Sequence, residues 1–320
     1  MNDESGEPQS LWSGTLTGSL NAWVVSITPF DASGALDEPG LRQHLRRLRD
    51  AKIGVYVGSS NAGEGFTLND AERRRLFEIA VEELKGKVPV RAGGCEPQSI
   101  ASAIDYVQAA EACGLDAAHV FQIDPGHAGP PSPAEIESYY SHVVASTSIP
   151  IVLSNYPGMG YAVPVGVLAR MLERFPQVIA VRDAGNDAAY LREIAAICKG
   201  RADLYTTGVK NVVNALAHGS RGFLCGEANV APALAVVLLE AFMAGNFESA
   251  MLAYGHLYRL HQLIGRFGGA AGRGMKPLLA RLGLPAGTLR PPRIAISPAE
   301  LAQMFSAYET LQLPGSPSVL

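Results

Sequence analysis

Arg182 and Asp183 close a short run of β-branched residues, VIAVR (Val178 to Arg182), and other polar side chains stand in the same position after similar runs. A guanidinium stays protonated at physiological pH and offers no free amine lone pair, so Arg182 cannot attack a ketone as a deprotonated lysine would. It can hold a carboxylate through two parallel hydrogen bonds or stabilise an enolate by charge. An ion pair with Asp183 or a loop carboxylate is the competing structural role. Ser154 and Tyr156, in SNYPGMGY (Ser154 to Tyr161), are a hydroxyl and a phenol able to move a proton. They face the same side if the strand continues past Ser154, and Pro157 bears on whether it does. Lys210, in GVK (Gly208 to Lys210), is the remaining lysine at a strand end. It is either a relocated amine at a barrel rim or a helix-start residue pointing to solvent. GSSNAGEGFTL (Gly58 to Leu68) offers Ser59, Ser60, Asn61, Gly63 and Glu64, the hydroxyls and backbone amides that a carboxylate needs. Its glycines serve either a close backbone approach to a ligand or a tight turn. His119, His127, His142 and His218 form no H-x-x-x-H pattern, and Asp124, His127 and Glu96 are the single grouping near adjacent strand ends that bears on a metal. No metal and no cofactor is expected.

The elements that would position these residues recur at intervals of roughly 25 to 35 residues, strand then helix, the pattern of a parallel α/β fold. The strand candidates are Ala22 to Ile27, Gly54 to Val57, Val88 to Ala92, Ala117 to Gln122, Ile149 to Ser154, Val178 to Arg182, Asp203 to Thr207 and Arg221 to Cys225. Eight such units suit a closed (β/α)8 TIM barrel. A dinucleotide-binding open sheet would place a Gly-rich fingerprint after its first strand, where this chain has TPFDASG (Thr28 to Gly34). Leu41, Leu45 and Leu48 share one face of a helix over Leu36 to Asp50, and Asn69 with Glu72 makes a helix start. The arginine groups Arg42, Arg46, Arg47, Arg49 and Arg73 to Arg75 read as solvated, salt-bridged faces. Helices are expected over Pro232 to Ala244, Phe247 to Phe267 and Pro298 to Leu311, with a bend at GGAAGRG (Gly268 to Gly274). The division expected is a flexible tail over 1–18, a barrel over 19–232 and a helical domain over 233–320.

Composition sets further bounds. The chain has 320 residues, 48% hydrophobic and 18% charged, with a net charge of −4 and no long basic run, which speaks against a nucleic-acid partner or an anionic membrane surface. The longest apolar stretch, Ala231 to Ala244, contains Pro232 and Glu240 and is too short to span a bilayer. The first ten residues are acidic and polar, unlike a secretory signal. Cys95, Cys113, Cys198 and Cys225 are widely separated, which favours free thiols and a cytoplasmic location over disulfides or zinc.

Six ordered motifs carry a resemblance over nearly the whole chain. VSITPFDASG (Val25 to Gly34), VGSSNAGEGFTLNDAE (Val57 to Glu72), SNYP (Ser154 to Pro157), VRDAGN (Val181 to Asn186), GFLCGEAN (Gly222 to Asn229) and KPLLARLGLP (Lys276 to Pro285) followed by LRPPR (Leu289 to Arg293) stand in sequence. Together they resemble the dihydrodipicolinate synthase and N-acetylneuraminate lyase family of Schiff-base aldolases. The resemblance implies a TIM barrel with a C-terminal helical domain, a lyase acting on or binding a small keto acid or related carboxylate, and a homodimer or homotetramer. It implies that Ser59, Ser60, Asn61, Gly63 and Glu64 belong to the segment that holds the acid's carboxylate, and that Leu224 and Glu227 belong to the site through the eighth strand. The family's Schiff-base lysine falls on Arg182 and its proton-relay tyrosine on Ser154. Asn61 and Ala62 are extra residues between Ser60 and Gly63, so which of Ser59, Ser60 and Asn61 faces the carboxylate stays open. The arginine that the synthases carry after Y-N-x-P is missing from GMGY (Gly158 to Tyr161). Two coordinated losses, lysine and tyrosine, point to a changed mechanism or to a non-catalytic carboxylate-binding or regulatory barrel, and away from lysine biosynthesis and sialic acid cleavage.

Overall fold

Eight short strands pair in parallel in strict chain order and close on themselves in a computed structural model that describes residues 21–94, 96–269 and 272–315. They are β1 (Asn21–Val25), β2 (Gly54–Val57), β3 (Val90–Ala92), β4 (Ala117–Val120), β5 (Ile151–Asn155), β6 (Val178–Asp183), β7 (Asp203–Thr207) and β8 (Gly222–Cys225). Helices α1 (Glu38–Asp50), α2 (Asp70–Leu84), α3 (Ile100–Ala112), α4 (Pro133–Ala145), α5 (Val165–Arg174), α6 (Ala188–Cys198), α7 (Val212–Ala217) and α8 (Pro232–Met243) follow the strands in turn. Then come α9 (Phe247–Arg266), α10 (Met275–Arg281) and α11 (Pro298–Leu311). This is the expected TIM barrel with a C-terminal helical segment. The expected 1–18 tail, Cys95 and the middle of the Gly-rich bend lie outside the described residues.

Local chemistry fixes the helix starts. Asn69 and Glu72 form the full capping box of α2, and the same reciprocal bonding recurs at Ser132 with Glu135 and at Ser297 with Glu300. The barrel interior is filled by Trp23, Tyr56, Val152, Ala180, Tyr205 and Leu224, with the Trp23 ring edge-on to Tyr56 at 5.0 Å and to Tyr205 at 5.9 Å. Arg91 threads the same space, 4.0 Å over Trp23 and bonded to the Tyr56 hydroxyl at 3.0 Å. The floor beneath the mouth is therefore solid. α8 packs on both β1 and α9, α9 lies over the turns after β7 and β8, and α11 packs on α9.

Two sequence expectations change. α10 was not anticipated: it is seven residues long, contains Pro277 and makes its case through burial of Met275, Leu278 and Leu279. The arginine faces are salt-bridged at Arg42, Arg46 and Arg75, which pair with Glu82, Glu83 and Glu38. Arg47 departs from that reading. It turns inward to bond the carbonyls of Asn229 and Val230, and burial lowers its guanidinium to about 10.

Candidate functional site

Register places Ser154 beside Arg182 and Asn155 beside Asp183 across β5 and β6. Side chains alternate along a strand, so Ser154 and Arg182 face the barrel interior while Asn155 and Asp183 face the helices. Arg182 is 7% exposed. Its Nε donates to Thr207 Oγ1 at 2.5 Å and its Nη1 to Ser154 Oγ at 3.3 Å. Its guanidinium carbon lies 5.3 Å from the Phe121 ring and 6.0 Å from the Tyr156 ring. Among the described residues it has no ion-pair partner and Nη2 has no hydrogen bond. Burial lowers the guanidinium to about 10, against the weaker pull of Tyr56, Tyr156, Asp183 and Glu96, so it remains a cation at neutral pH. A buried cation without an ion-pair partner is costly, and an anionic ligand would relieve that cost.

The loop after β2 is wound so tightly that only glycine fits at two points. A Cβ on Gly65 would lie 2.1 Å from the Gly58 carbonyl, and one on Gly63 would lie 2.7 Å from the Ser59 carbonyl. This winding leaves Ser60 Oγ buried without a partner. Among the described residues the backbone N–H groups of Asn61, Ala62 and Gly63 also find no acceptor. A run of free backbone donors is the kind of arrangement that can receive an anion. β2 and β6 are four strands apart in an eight-strand ring, so this loop faces Arg182 from the opposite side of the mouth.

The sequence model of the Dihydrodipicolinate synthetase family matches residues 16–310. The chain belongs to that family. It is 32% identical over 296 residues to the 4-hydroxy-tetrahydrodipicolinate synthase of Brucella suis, covering 92% of this chain and 98% of that one. It is 31% identical to the Methanopyrus kandleri enzyme of the same name over 74% of this chain and 79% of that one. Among solved structures, the fold matches Bacillus anthracis dihydrodipicolinate synthase DapA-2 with a TM-score of 0.83 at 24% identity, covering 92% and 98% of the two chains. It matches Escherichia coli YagE, a member of the dihydrodipicolinic acid synthase family solved with pyruvate, with a TM-score of 0.84 at 23% identity over 92% and 99%.

The remaining candidates in this dihydrodipicolinate synthase family member are spread over different environments. Tyr156 comes near Arg182 although β5 ends at Asn155, because Gln122 Oε1 accepts from the Tyr156 backbone N–H at 2.6 Å and Phe121 meets its ring edge-on at 6.0 Å. Asp183 is turned to the helix side, accepting from Asn155 Nδ2 at 2.7 Å and Gly185 N at 3.1 Å, and burial raises its carboxyl. No ion pair joins it to Arg182. Lys210 is exposed on a 3-10 turn after β7. Leu224 is part of the interior packing, and Glu227 is buried against His261 Nδ1 of α9 at 2.7 Å. Glu64 is fully buried in an ion pair with Lys276 at 2.5 Å. Asp124 accepts from Gly126 N in its own turn, and no group of three potential metal ligands occurs among the described residues.

Sequence reasoning missed Thr207, Phe121 and Gln122 as neighbours of the site, and weighed His119 as a metal ligand alone. Thr207 was reachable in principle, as the last residue of a strand adjoining the one that carries Arg182. His119 lies inside the barrel with Nε2 unpartnered, and burial, followed by the charge of Arg182, holds its pKa well below the usual histidine range. A cavity of about 670 Å³, lined by residues of α2 and α3, also touches His119 and Phe121. Among the described residues no helix is long and apolar enough to cross a membrane.

Proposed function

We propose that this dihydrodipicolinate synthase family protein binds a small 2-keto acid and acts on it as a lyase without a Schiff base. The observation that carries the reading is the buried charge of Arg182, hydrogen-bonded to two hydroxyls and in ion-pair contact with no carboxylate among the described residues. The free donors of the loop after β2 take the carboxylate, and Arg182 on the opposite side takes the keto oxygen. In a carbon–carbon cleavage, the C4 hydroxyl gives up its proton, the C3–C4 bond breaks to leave an aldehyde, and its electron pair passes to the C2 oxygen as an enolate. Arg182 stabilises that oxyanion as it forms, and protonation at C3 completes the turnover. Ser154 and Tyr156 are the hydroxyls beside Arg182 available to carry protons. The pyruvate bound by the related YagE supports the choice of acid.

Five of the six lysines, Lys52, Lys85, Lys87, Lys199 and Lys210, are exposed, and the sixth, Lys276, is paired with Glu64. A non-catalytic carboxylate-binding barrel is the second reading, favoured because both hydrogen-bond partners of Arg182 are hydroxyls rather than bases. Borohydride reduction in the presence of pyruvate, followed by intact mass, tests the chemistry, and no adduct is expected. An adduct on any lysine overturns the proposal. Thermal unfolding with pyruvate tests binding, since a ligand of the native state raises the midpoint. Turnover of 4-hydroxy-2-keto acids, followed by release of pyruvate, separates the lyase from the binding protein.

A further inference from the structure

The loop that presents the free donors is anchored from the far end of the chain. Glu64, at the loop's centre, sits in the left-handed region with φ of 49°, a conformation that a non-glycine residue holds only when its surroundings fix it. Its backbone N–H donates to Asn61 O at 3.2 Å, and the next N–H, of Gly65, donates to Ser59 O at 2.9 Å. The turn at Glu64 therefore shapes Ser59 to Gly63. Its side chain is held entirely from the C-terminal segment. Lys276 Nζ of α10 lies 2.5 Å from Oε1, and Arg290 N donates to Oε2 at 3.1 Å.

The same segment is tied down at several further points. Lys276 Nζ also donates to Thr288 O at 2.6 Å, and Thr288 N donates to Phe30 O at 2.7 Å. Arg290 bonds Gly34 O at 2.7 Å and Thr67 O at 3.0 Å, pairs with Glu72, and lies 4.0 Å over the Phe30 ring. Lys276 and Glu64 are 2% and 1% exposed at their side chains. Two charges withdrawn so far from water are a poor device for stability alone, since a hydrophobic pair of equal volume does as well or better. They fix geometry instead, because each charge has one place to go.

We infer that Lys276 is a positioning residue for the ligand site: through the Glu64 carboxylate, the C-terminal helical segment sets the curl of the loop after β2 and hence the aim of its anion-binding donors. The inference rests on the keto-acid reading for its ligand, though not for its structural step. It makes the C-terminal segment part of the site without any of its side chains touching the acid.

The test uses the full-length protein and the double variant E64Q/K276M, neutral at both positions so that no lone buried charge is left behind. Hydrogen exchange of the ligand-free proteins is the first readout. The hydrogen-bonded amides of this loop, those of Ser60, Glu64, Gly65 and Thr67, are expected to exchange at least tenfold faster in the variant while those of β4 to β7 are unchanged. Pyruvate binding by calorimetry is the second, with Kd expected to rise at least tenfold, and E64D or K276R expected to fall between the variant and wild type. Unchanged exchange at those loop amides overturns the inference whatever pyruvate does, and so does a loosened loop with a Kd within twofold of wild type. Failure of the wild-type protein to bind pyruvate removes the keto-acid reading instead, leaving the anchoring step to be judged by exchange alone.

Discussion

Replacing Arg182 by methionine is expected to strengthen the empty barrel and abolish its response to keto acids. Burial brings the guanidinium from 12.5 to about 10. At about 1.4 kcal/mol per pH unit, the folded state disfavours the cation by about 3 kcal/mol. The sign follows from a cation whose folded pKa is depressed: below pH 10 it is charged folded and unfolded alike, so the full penalty is present at neutral pH and fades only as pH climbs past 10. Methionine has similar reach and no charge. Against the relief stand the hydrogen bonds to Thr207 and Ser154, each worth about 1 kcal/mol. The net gain is about 1 kcal/mol, or about 2 °C in midpoint for a chain of this size. Wild type should gain about 2.7 kcal/mol of apparent stability from pyruvate at one hundred times its Kd. R182M should gain nothing. Differential scanning fluorimetry with and without pyruvate measures both quantities. A variant that melts several degrees lower while keeping the ligand-dependent rise would refute the reasoning, because Arg182 would then be a structural residue with no part in binding.

Three further outcomes follow from the same geometry. R182K/S154Y restores an amine and a phenol at adjoining strand ends, and borohydride with pyruvate should then trap a covalent adduct visible by intact mass; an unmodified protein would show that the mouth has been rebuilt beyond these two positions. K210A should leave the pyruvate-dependent rise within about 0.5 °C of wild type, as expected of an exposed surface residue, and its loss would bring Lys210 back into the site. E83Q concerns stability alone. Hydrogen bonds from Arg46, then Arg42, hold the Glu83 carboxyl down at about 2, and since Arg46 is 54% exposed the pairing is discounted to about 1 kcal/mol. That contribution is present above the unfolded value of 4.5 and is lost as pH falls toward 2. Urea midpoints of wild type and E83Q should therefore differ at pH 7 and converge near pH 2, and a gap that persists in acid would mean that packing, not charge, is responsible.

Much of the fold was legible because the signals that define a βα unit are local. GVYV and DLYTT match β2 and β7 residue for residue, and Pro298 to Leu311 matches α11. Asn69 and Glu72 announced the start of α2 because a capping box involves four consecutive residues. α10 gave no such signal, as seven residues around a proline become helical only where the barrel and α11 bury them. Arg47 misled for the same reason: a helix periodicity shows where arginines cluster and is silent on which of them has buried carbonyls within reach.

By itself the sequence determined the order of eight strands, the parallel alternation that closes them, and the presence of a permanent cation at the end of the sixth. Only the tertiary structure decided the company those residues keep. Register across β5, β6 and β7 put Ser154 and Thr207 on Arg182 and sent Asp183 to the other face. Closure of the ring set the loop after β2 opposite that cation. The fold-back of the C-terminal segment gave Glu64 to Lys276 and Arg290, residues far along the chain. The reason is one of range: strand and helix propensities act over a few neighbouring residues, whereas a buried charge finds its partner only after the whole chain has packed.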